Sequence, residues 1–326
     1  MKILVTGGAG YIGSVTVNNL LRKGHEVVVF DNLVYGHKES VPCRLMKGDL
    51  LDKDLLYKSF NGQNFDAVMH FASLSLAGES MHFPFKYFQN NIVGGLNLLD
   101  VMRENGVRLL IFSSTCSIYG IPKNLPVDES SEKDPESVYG DSKLMLEKII
   151  DWYDRIYNIK YITLRYFNAA GASIDGKLGE DHDPETHIIP VAIKCVLEGK
   201  PFSLFGRDYN TPDGTCIRDY VHVEDLASAH ILALEKLIEK NQSNSFNVGS
   251  GKGYSNLEVL EIVRKVSGVN FSINVFPRRM GDPPIIFADN KKIMDELGFK
   301  AQFSDLEIIV KSAWEWHKRN QKLNPN

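Results

Sequence analysis

The sequence is poor in the features that mark disulfide-linked, metal-binding and membrane proteins. Its four cysteines, Cys43, Cys116, Cys195 and Cys216, lie far apart, with no Cys-x-x-Cys pair and no paired histidine spacing. Neither a disulfide framework nor a metal site is therefore expected. No stretch approaches the roughly 18 uninterrupted apolar residues of a membrane span, so no membrane partner is expected. Glycines follow the short apolar run at 2–6 too soon for a signal peptide, which favours a cytoplasmic location.

Strong charge of either sign is also missing. The chain has 37 Lys and Arg against 41 Asp and Glu, a formal net charge of −4, and its basic clusters are no longer than pairs such as Lys291-Lys292. Nucleic-acid-binding proteins usually carry a basic patch or stripe, so no nucleic-acid partner is expected. With 43% hydrophobic and 24% charged residues, the composition is that of a globular protein and excludes a disordered or fibrous one.

What the sequence does contain is a regular alternation of β-branched runs and helical stretches. The apolar runs lie at 2–6, 26–31, 67–72, 109–114 and 161–167, and helical spacing occurs at 14–22, 85–103 and 142–157. Continuous apolar runs that alternate with helices indicate βαβ units around a buried parallel sheet. This part of the chain therefore predicts an α/β fold.

The character of the sequence changes after about residue 170. A segment rich in Gly, Asp, Glu and Pro at 171–185 predicts a long loop. Mixed short elements follow, with helices near 189–198, 225–240 and 256–266, a strand near 271–276 and two late helices. We expect one domain over residues 1–170, with returns of the chain near 221–250. We expect a smaller C-terminal substrate lobe formed mainly by 171–326.

A glycine motif follows the first apolar run. Gly7, Gly10 and Gly13 fit G-x-x-G-x-x-G, and Gly8-x-Gly10-x-x-Gly13 fits G-x-G-x-x-G. Between a strand and a helix, this motif predicts a pyrophosphate site at the helix N-terminus. Asp31, 18 residues past Gly13, is placed to bind the ribose diol. The next four residues contain no arginine for a 2′-phosphate, which favours NAD over NADP. The expected fold is a Rossmann-type, doubly wound parallel sheet.

Three further residues point to proton transfer. Tyr139 and Lys143 are four residues apart at the start of a helical stretch, so their side chains share one helical face. A free tyrosine has a pKa of about 10. A neighbouring ammonium and a positive nicotinamide ring would lower the pKa of Tyr139 toward neutrality, making it a general base. Thr115 ends an apolar run, and ligands of a parallel sheet bind at the carboxyl ends of its strands, so its hydroxyl is placed to hydrogen-bond a ligand. Alternatively, this hydroxyl forms a hydrogen bond within its own turn.

With these residues in place, the sequence resembles the extended short-chain dehydrogenase/reductase superfamily, and more closely its UDP-glucose (UDP-galactose) 4-epimerase family. The resemblance covers nearly the whole chain. The segments that carry it are 6–13, 31–33, 48–50, 70–72, 78–80, 90–91, 112–120, 139–143, 164–168, 213–226 and 278–282. The last two segments are more particular to members that act on nucleotide sugars.

The resemblance implies a tightly bound NAD. The implied cofactor-binding residues are Gly7, Gly10, Tyr11, Ile12, Gly13, Asp31, Asn32, Asp49, Leu50, Phe71, Ala72, Ser73, Asn90, Tyr139, Lys143 and Phe167. Tyr11 and Ile12 would lie against the pyrophosphate, and Asp49 and Leu50 against the adenine. Phe167 would face the nicotinamide.

The resemblance also implies a UDP-sugar site. The implied substrate-binding residues are Thr115, Asn168, His187, Ile188, Ser203, Leu204, Phe205, Arg218, Arg279, Met280, Gly281, Asp282 and Ile286. Two arginines suit a diphosphate because their planar guanidinium groups bind its oxygens bidentately. Phe205 borders the uracil or packs in the core, and Ile286 either limits the space beside the sugar 2-substituent or packs in the core.

The implied reaction is reversible inversion at C4 of UDP-glucose and UDP-galactose through a 4-keto sugar, with Tyr139, Lys143 and Thr115 as the catalytic residues. UDP-N-acetylhexosamines, UDP-pentoses and UDP-uronates remain alternative substrates, and the family often forms homodimers.

Two other functions are less consistent with the residues. A dehydratase would carry an Asp-Glu pair after Thr115, where this chain has Cys116-Ser117. A non-catalytic NAD-binding regulator would typically have lost the tyrosine or the lysine. The chain departs from the family at Ser75, where Lys is frequent, and at His187, where Asn is frequent.

Overall fold

A seven-stranded parallel sheet forms the centre of the computed structural model, which describes residues 1–279 and 282–323. The described strands are β1 Lys2–Thr6, β2 Glu26–Asp31, β3 Arg44–Lys47, β4 Ala67–His70, β5 Leu109–Thr115, β6 Lys160–Tyr166, β7 Asn168–Ala170, β8 Phe202–Phe205, β9 Ile217–His222, β10 Asn244–Val248, β11 Gly253–Ser255, β12 Ile273–Phe276 and β13 Ile285–Ile286. The order in the sheet is β10-β6-β5-β4-β1-β2-β3. The predicted Rossmann-type doubly wound sheet is confirmed.

Helices cover both faces of this sheet. The described helices are α1 Tyr11–Arg22, α2 Lys53–Phe60, α3 Ala77–Ser80, α4 Pro84–Tyr87, α5 Gly94–Glu104, α6 Val138–Tyr157, α7 Ile188–Glu198, α8 Val223–Lys240, α9 Asn256–Ser267, α10 Lys291–Leu297 and α11 Leu306–Leu323. Successive strand residues alternate between the faces: Val5 packs with the cluster that includes α1 and α8, and Leu4 packs with α2, α5 and α6. No helix among the described residues is long and apolar enough to cross a membrane.

The chain after β6 builds a second core and also returns to the large sheet. A four-stranded sheet of β7, β9, β11 and β13 and the parallel pair β12-β8 lie with α7, α9 and α11 around one hydrophobic cluster. Meanwhile β10 pairs with β6 at the edge of the large sheet, and α8 packs against α1. Residues 171–326 therefore contribute to both cores.

Two element predictions differ from the structure. The helix predicted at 142–157 begins earlier, at Val138, because the Ser137 hydroxyl accepts a hydrogen bond from the Gly140 amide and caps it. This places Tyr139 inside the first turn. The single helix predicted at 85–103 is interrupted by a π-helical turn, Phe88–Val93. There the Asn91 amide bonds to both backbone polar groups of Leu74, and π-turns of this kind often occur at functional sites.

Candidate active site

The glycine turn between β1 and α1 leaves the helix N-terminus open. Gly7 has φ +73°, and a Cβ there would lie 2.4 Å from the Ala72 amide nitrogen; a Cβ on Gly13 would lie 2.2 Å from the Gly7 oxygen. At Gly10, by contrast, a Cβ would meet only the Gly7 oxygen, at 3.4 Å. The N-cap residue Gly10 offers no side-chain cap, and no acidic residue lies in the first turn. The free N–H groups and the helix dipole suit an anionic group such as a pyrophosphate.

Two acids lie beside this turn, at the ends of β2 and β3. The Asp31 carboxylate accepts hydrogen bonds from the Ala9 amide at 3.0 Å and the Leu33 amide at 2.8 Å. Asn32 donates to Asp49 at 2.9 Å. Since a carboxylate accepts about four hydrogen bonds, the Asp31 carboxylate keeps acceptor positions for a ribose diol. Asp31, Asn32 and Asp49 are thus brought together, as an adenosine site would require.

The segment after β4 closes over the carboxyl ends of the strands. The amides of Phe71 and Ala72 both donate to the Thr6 carbonyl. Asn91, which is fully buried, holds Leu74 and donates to the Ser142 hydroxyl at 2.9 Å. This amide therefore ties the segment to α6. The sequence does not predict this role of Asn91, because a hydrogen bond between residues 51 positions apart has no local sequence signal.

Tyr139, Lys143 and Thr115 meet at the carboxyl end of β5. The Lys143 Nζ donates to the Ser113 carbonyl at 2.8 Å. No other acceptor for it is found among the described residues, so two of its three N–H groups remain available. Burial lowers the pKa of Lys143 to about 7. The Thr115 hydroxyl donates to the Ser117 hydroxyl and accepts from the Ser117 amide, both at 3.1 Å, so it also satisfies its own turn.

The protein's own groups do not lower the pKa of Tyr139. Burial raises the pKa of Tyr139 to about 12, and the nearby Thr115 hydroxyl opposes that rise only in part. The Lys143 ammonium does not offset the burial, because it is directed at the Ser113 carbonyl and lies 4.9 Å from the centre of the Phe112 ring. The nicotinamide ring, the second positive charge in the prediction, belongs to the cofactor and not to the protein.

Several predicted substrate residues line one face of the second core. The Arg279 guanidinium lies 4.2 Å from the centre of the Phe205 ring, and Arg218 is 3.7 Å from Asp282. Asn168 donates to the Asp219 carbonyl at 3.0 Å. Two positively charged groups and an aromatic ring thus lie along β8 and β9. Met280 and Gly281 of the same motif fall outside the described residues.

Other predicted residues turn their side chains into the core. Ile286 is 3% exposed and belongs to one buried cluster with Phe167. Leu204 and Leu50 are buried in larger clusters. Phe71 packs against His230, with ring centres 4.6 Å apart. These residues can reach a ligand mainly through their backbone or by shaping its surroundings.

His187 occupies the N-cap position of α7 without a side-chain capping bond, and its ring is held by two carboxylates. Its Nδ1 lies 2.7 Å from Glu180 and 3.0 Å from Glu185. Burial disfavours the charged ring, but these carboxylates, Glu180 first, raise the pKa of His187 well above its usual value. Ile188 follows as the first residue of the helix. Because the His187 ring is bound by two carboxylates, it is not a simple replacement for the asparagine that is frequent at this position in the family.

A buried polar network behind Lys143 was also missed from the sequence. Glu147 accepts hydrogen bonds from Arg165 at 2.7 and 3.0 Å and from the Ser114 hydroxyl at 2.6 Å. Arg165 in turn donates to Tyr119. Glu147 is four residues after Lys143, on the same helical face, and this spacing is the only sequence feature that indicates the network. The network fixes the buried face of α6 against β5 and β6.

A glycine turn that leaves a helix N-terminus open, together with a buried Tyr139 and Lys143 at the carboxyl end of a parallel sheet, is typical of enzymes that use a bound dinucleotide. The chain belongs to the NAD dependent epimerase/dehydratase family, whose model matches residues 3–249. Within it, the chain belongs to the UDP-glucose 4-epimerases. It is 50% identical over 328 residues to the UDP-glucose 4-epimerase of Streptococcus mutans, covering 99% of this chain and 98% of the relative.

Solved structures agree with this membership. The crystal structure of UDP-glucose 4-epimerase from Brucella ovis in complex with NAD matches with a TM-score of 0.93 and 42% identity, covering 96% of this chain and 97% of that one. The UDP-Glc/GlcNAc 4-epimerase from Campylobacter jejuni matches with a TM-score of 0.85 and 42% identity, covering 98% and 99%.

Proposed function

We propose that this chain catalyses the reversible inversion at C4 of UDP-glucose and UDP-galactose and retains NAD throughout the cycle. The observation that carries the proposal is the meeting of Tyr139, Lys143 and Thr115 at the carboxyl end of β5, beside the open N-terminus of α1. Ligands of open parallel sheets bind at this edge. Membership of the UDP-glucose 4-epimerases supports the same reaction.

The first 170 residues, with the returns near 221–250, form the unit to which we assign NAD. The N–H groups at the start of α1, at Tyr11 and Ile12, receive the pyrophosphate, and Asp31 receives the adenosine ribose. The spare N–H groups of Lys143 suit the nicotinamide ribose. The remaining contacts that we assign to the cofactor come from Gly7, Gly10, Gly13, Asn32, Asp49, Leu50, Phe71, Ala72, Ser73, Asn90, Tyr139 and Phe167. Bound NAD supplies a reversible hydride acceptor for C4.

Tyr139 is assigned the proton of the 4-hydroxyl group. The reaction requires the phenol to take up and return one proton per cycle, with the Thr115 hydroxyl as the neighbouring relay. Burial alone disfavours the phenolate, so the positive charge of the oxidised cofactor must stabilise it. Lys143, whose Nζ donates to the Ser113 carbonyl, acts by holding the nicotinamide ribose beside Tyr139.

The nucleotide sugar is assigned to the lobe formed mainly by 171–326. Arg218 and Arg279 are the cations for the diphosphate, and Phe205, already beneath the Arg279 guanidinium, borders the uracil. The other assigned contacts come from Asn168, His187, Ile188, Ser203, Leu204 and Asp282. Because Leu204 is buried, its contribution is through the backbone.

A second candidate function is epimerisation of UDP-N-acetylhexosamines as well as plain hexoses. Its support is the likeness to a UDP-Glc/GlcNAc 4-epimerase at 42% identity. Ile286 is buried beside Phe167, so it affects the sugar pocket by its bulk behind the pocket wall. A residue of intermediate size at this position is compatible with either substrate range.

A product assay tests both candidates. Purified protein, with no added NAD, receives UDP-galactose or UDP-N-acetylgalactosamine, and NMR resolves the products. We expect UDP-glucose from the first substrate, and a second product only if the range is dual. If neither substrate turns over even after NAD is added, the proposal is wrong, and UDP-pentoses, UDP-uronates or a non-catalytic role become the alternatives to test.

We also propose that the protein is a cytoplasmic homodimer. All four cysteines, which lie within the described residues, are unpaired, as is usual in a reducing compartment. Met145, Trp152 and Ile156 form an exposed apolar stripe along α6. Phe85 and Val93 are also exposed, on two helical segments that pack against α6. Exposed apolar patches of this kind mark association surfaces, most often twofold ones.

A further inference from the structure

Four side chains with metal-binding chemistry converge in the loop that leads into α7. They are Glu180, His182, Glu185 and His187, and one nitrogen or oxygen atom from each lies within 4.8 Å of all the others. Their spacing, Glu-x-His-x-x-Glu-x-His, is not one of the common cysteine–histidine patterns. This is why the sequence alone does not predict a metal site here.

The distances between these atoms resemble the edges of a metal coordination shell. Zinc binds imidazole nitrogen and carboxylate oxygen at about 2.0–2.2 Å, so neighbouring ligand atoms of a tetrahedral site are roughly 3.3 Å apart. The His182 Nδ1 lies 3.3 Å from Glu180 and 3.6 Å from Glu185. The His187 Nδ1 lies 2.7 Å from Glu180 and 3.0 Å from Glu185. The two His182 separations lie near that value, and the two His187 separations are about 0.3–0.6 Å shorter.

Two atoms of the cluster make ion-pair contacts of 3.3–3.6 Å but no hydrogen bond. The His182 Nδ1 and the Glu185 Oε2 are both buried, and neither has a hydrogen-bond partner within the part of the chain that the structure describes. The Glu185 side chain is only 10% exposed and that of Glu180 only 5%. Buried polar groups are rarely left unpaired. These two atoms therefore call for a further ligand between them.

The surrounding backbone holds the carboxylates in place. The Glu185 Oε1 accepts hydrogen bonds from the amides of Thr186 at 2.7 Å and His187 at 2.8 Å, which leaves its other oxygen directed at His182. Such outer contacts orient the ligands of metal sites. His182 also presents its ring edge-on to Tyr11 at 6.4 Å. The cluster thus lies between the glycine turn and the start of α7.

We propose that Glu180, His182, Glu185 and His187 bind one divalent transition-metal ion, for which a ligand set of two imidazoles and two carboxylates favours zinc. With four protein ligands the site is closed, so its role is structural. The ion cross-links residues 180–187 and fixes the loop between Tyr11 and His187. The alternative is a metal-free cluster in which two protonated imidazoles neutralise the two carboxylates.

The metal content of the purified protein tests the proposal directly. The full chain, without a histidine tag and without chelators, is analysed by inductively coupled plasma mass spectrometry. We expect one transition-metal ion per chain, and a visible spectrum of a four-coordinate site after replacement by Co²⁺. The measurement does not depend on epimerase activity, so its failure would leave the proposed function untouched.

Variants locate the ion. His182→Ala and Glu185→Gln should lose the metal, whereas His82→Ala, an exposed histidine outside the cluster, should keep it. If the cluster variants fail to fold, the unaltered chain is stripped with a chelator and titrated with Zn²⁺, which should raise its unfolding temperature. No stoichiometric metal, no stabilisation by Zn²⁺, or equal metal in the cluster variants and His82→Ala would each overturn the proposal.

Discussion

Tyr139 and Lys143 illustrate at the residue scale how burial tunes two groups in opposite senses. Loss of water disfavours each charged form, so the pKa of Tyr139 rises to about 12 while that of Lys143 falls to about 7. The protein alone therefore keeps the phenol protonated. A ligand that brings positive charge to the carboxyl end of β5 is needed before Tyr139 can act as a base.

Replacing Tyr139 by phenylalanine removes the proton carrier and little else. We expect Tyr139→Phe to lower the turnover number by roughly 10²- to 10⁴-fold, the usual contribution of general acid–base catalysis. UDP binding, measured by calorimetry, should be retained. Tyr157→Phe, at the far end of the same helix, is the matched control. Near-normal turnover of Tyr139→Phe would contradict the assignment.

His230 should make the protein less stable as the pH falls. Burial lowers its pKa to about 4 from an ordinary 6.5. Between these values the unfolded chain binds a proton that the folded chain does not. The free energy of unfolding therefore falls with falling pH, by up to about 1.4 kcal/mol per pH unit.

Denaturant unfolding between pH 6 and pH 4.5 measures this effect. His230→Gln should show a shallower loss of stability than the unaltered protein, by up to about 1.4 kcal/mol per pH unit. His82→Gln, at an exposed position, should keep the original slope. Parallel curves for His230→Gln and the unaltered protein would mean that His230 is not neutral in the fold.

At the scale of elements, the β1–α1 turn contains two glycines with different roles: Gly13 is needed for packing and Gly10 for nucleotide binding. A Cβ on Gly13 would overlap the Gly7 oxygen, whereas one on Gly10 would make only a 3.4 Å contact with that oxygen. Gly13→Ala should therefore lower the free energy of unfolding by about 1–3 kcal/mol or more. Gly10→Ala should cost less than about 1 kcal/mol but release NAD.

Two measurements on each variant distinguish these effects. Denaturant unfolding gives the stability, and the nucleotide recovered after denaturation gives the NAD retained per chain. Full retention of NAD by a stable Gly10→Ala protein would show that the pyrophosphate does not approach this turn.

Helix α6 carries the buried ion pair between Glu147 and Arg165, whose side chains are 9% and 6% exposed. Removing one partner leaves the other charge buried and unpaired, which typically costs 3–5 kcal/mol. Glu147→Gln should therefore destabilise the protein by about that amount in denaturant unfolding. Glu132→Gln, in the exposed pair with Lys123, should have little effect. Equal stability of the two variants would show that the network contributes little.

At the scale of the whole molecule, the apolar stripe on α6 needs a partner surface. Trp152 and Ile156 are 57% and 62% exposed, and a twofold contact would bury the stripe against its own copy. The double variant Trp152→Glu/Ile156→Glu should sediment as a monomer. Ile174→Glu, an equally exposed position on a loop, should still sediment as a dimer. A monomeric unaltered protein would refute the homodimer.

Much of the fold could be predicted because its signals are local. The apolar runs of β1, β2, β5 and β6 and the glycine turn each occupy a few consecutive residues, and their residue types determine the local backbone. The short strands β3 and β8 escaped notice because neither is a continuous apolar run: Arg44–Lys47 has a basic residue at each end, and Phe202–Phe205 contains an exposed serine. Sheet pairing stabilises both.

The candidate site likewise has features that local sequence predicts and features that it does not. Sequence alone identified the glycine turn, Asp31, and the Tyr139–Lys143 spacing, since helix and turn geometry fix how residues up to four apart are arranged. Tertiary structure alone decided the pKa of Tyr139, the burial of Ile286, the hydrogen bonds by which Asn91 joins Leu74 to α6, and the cluster of two glutamates and two histidines that includes Glu180. Desolvation and contacts between distant segments exist only after the chain has folded, so no short sequence pattern specifies them.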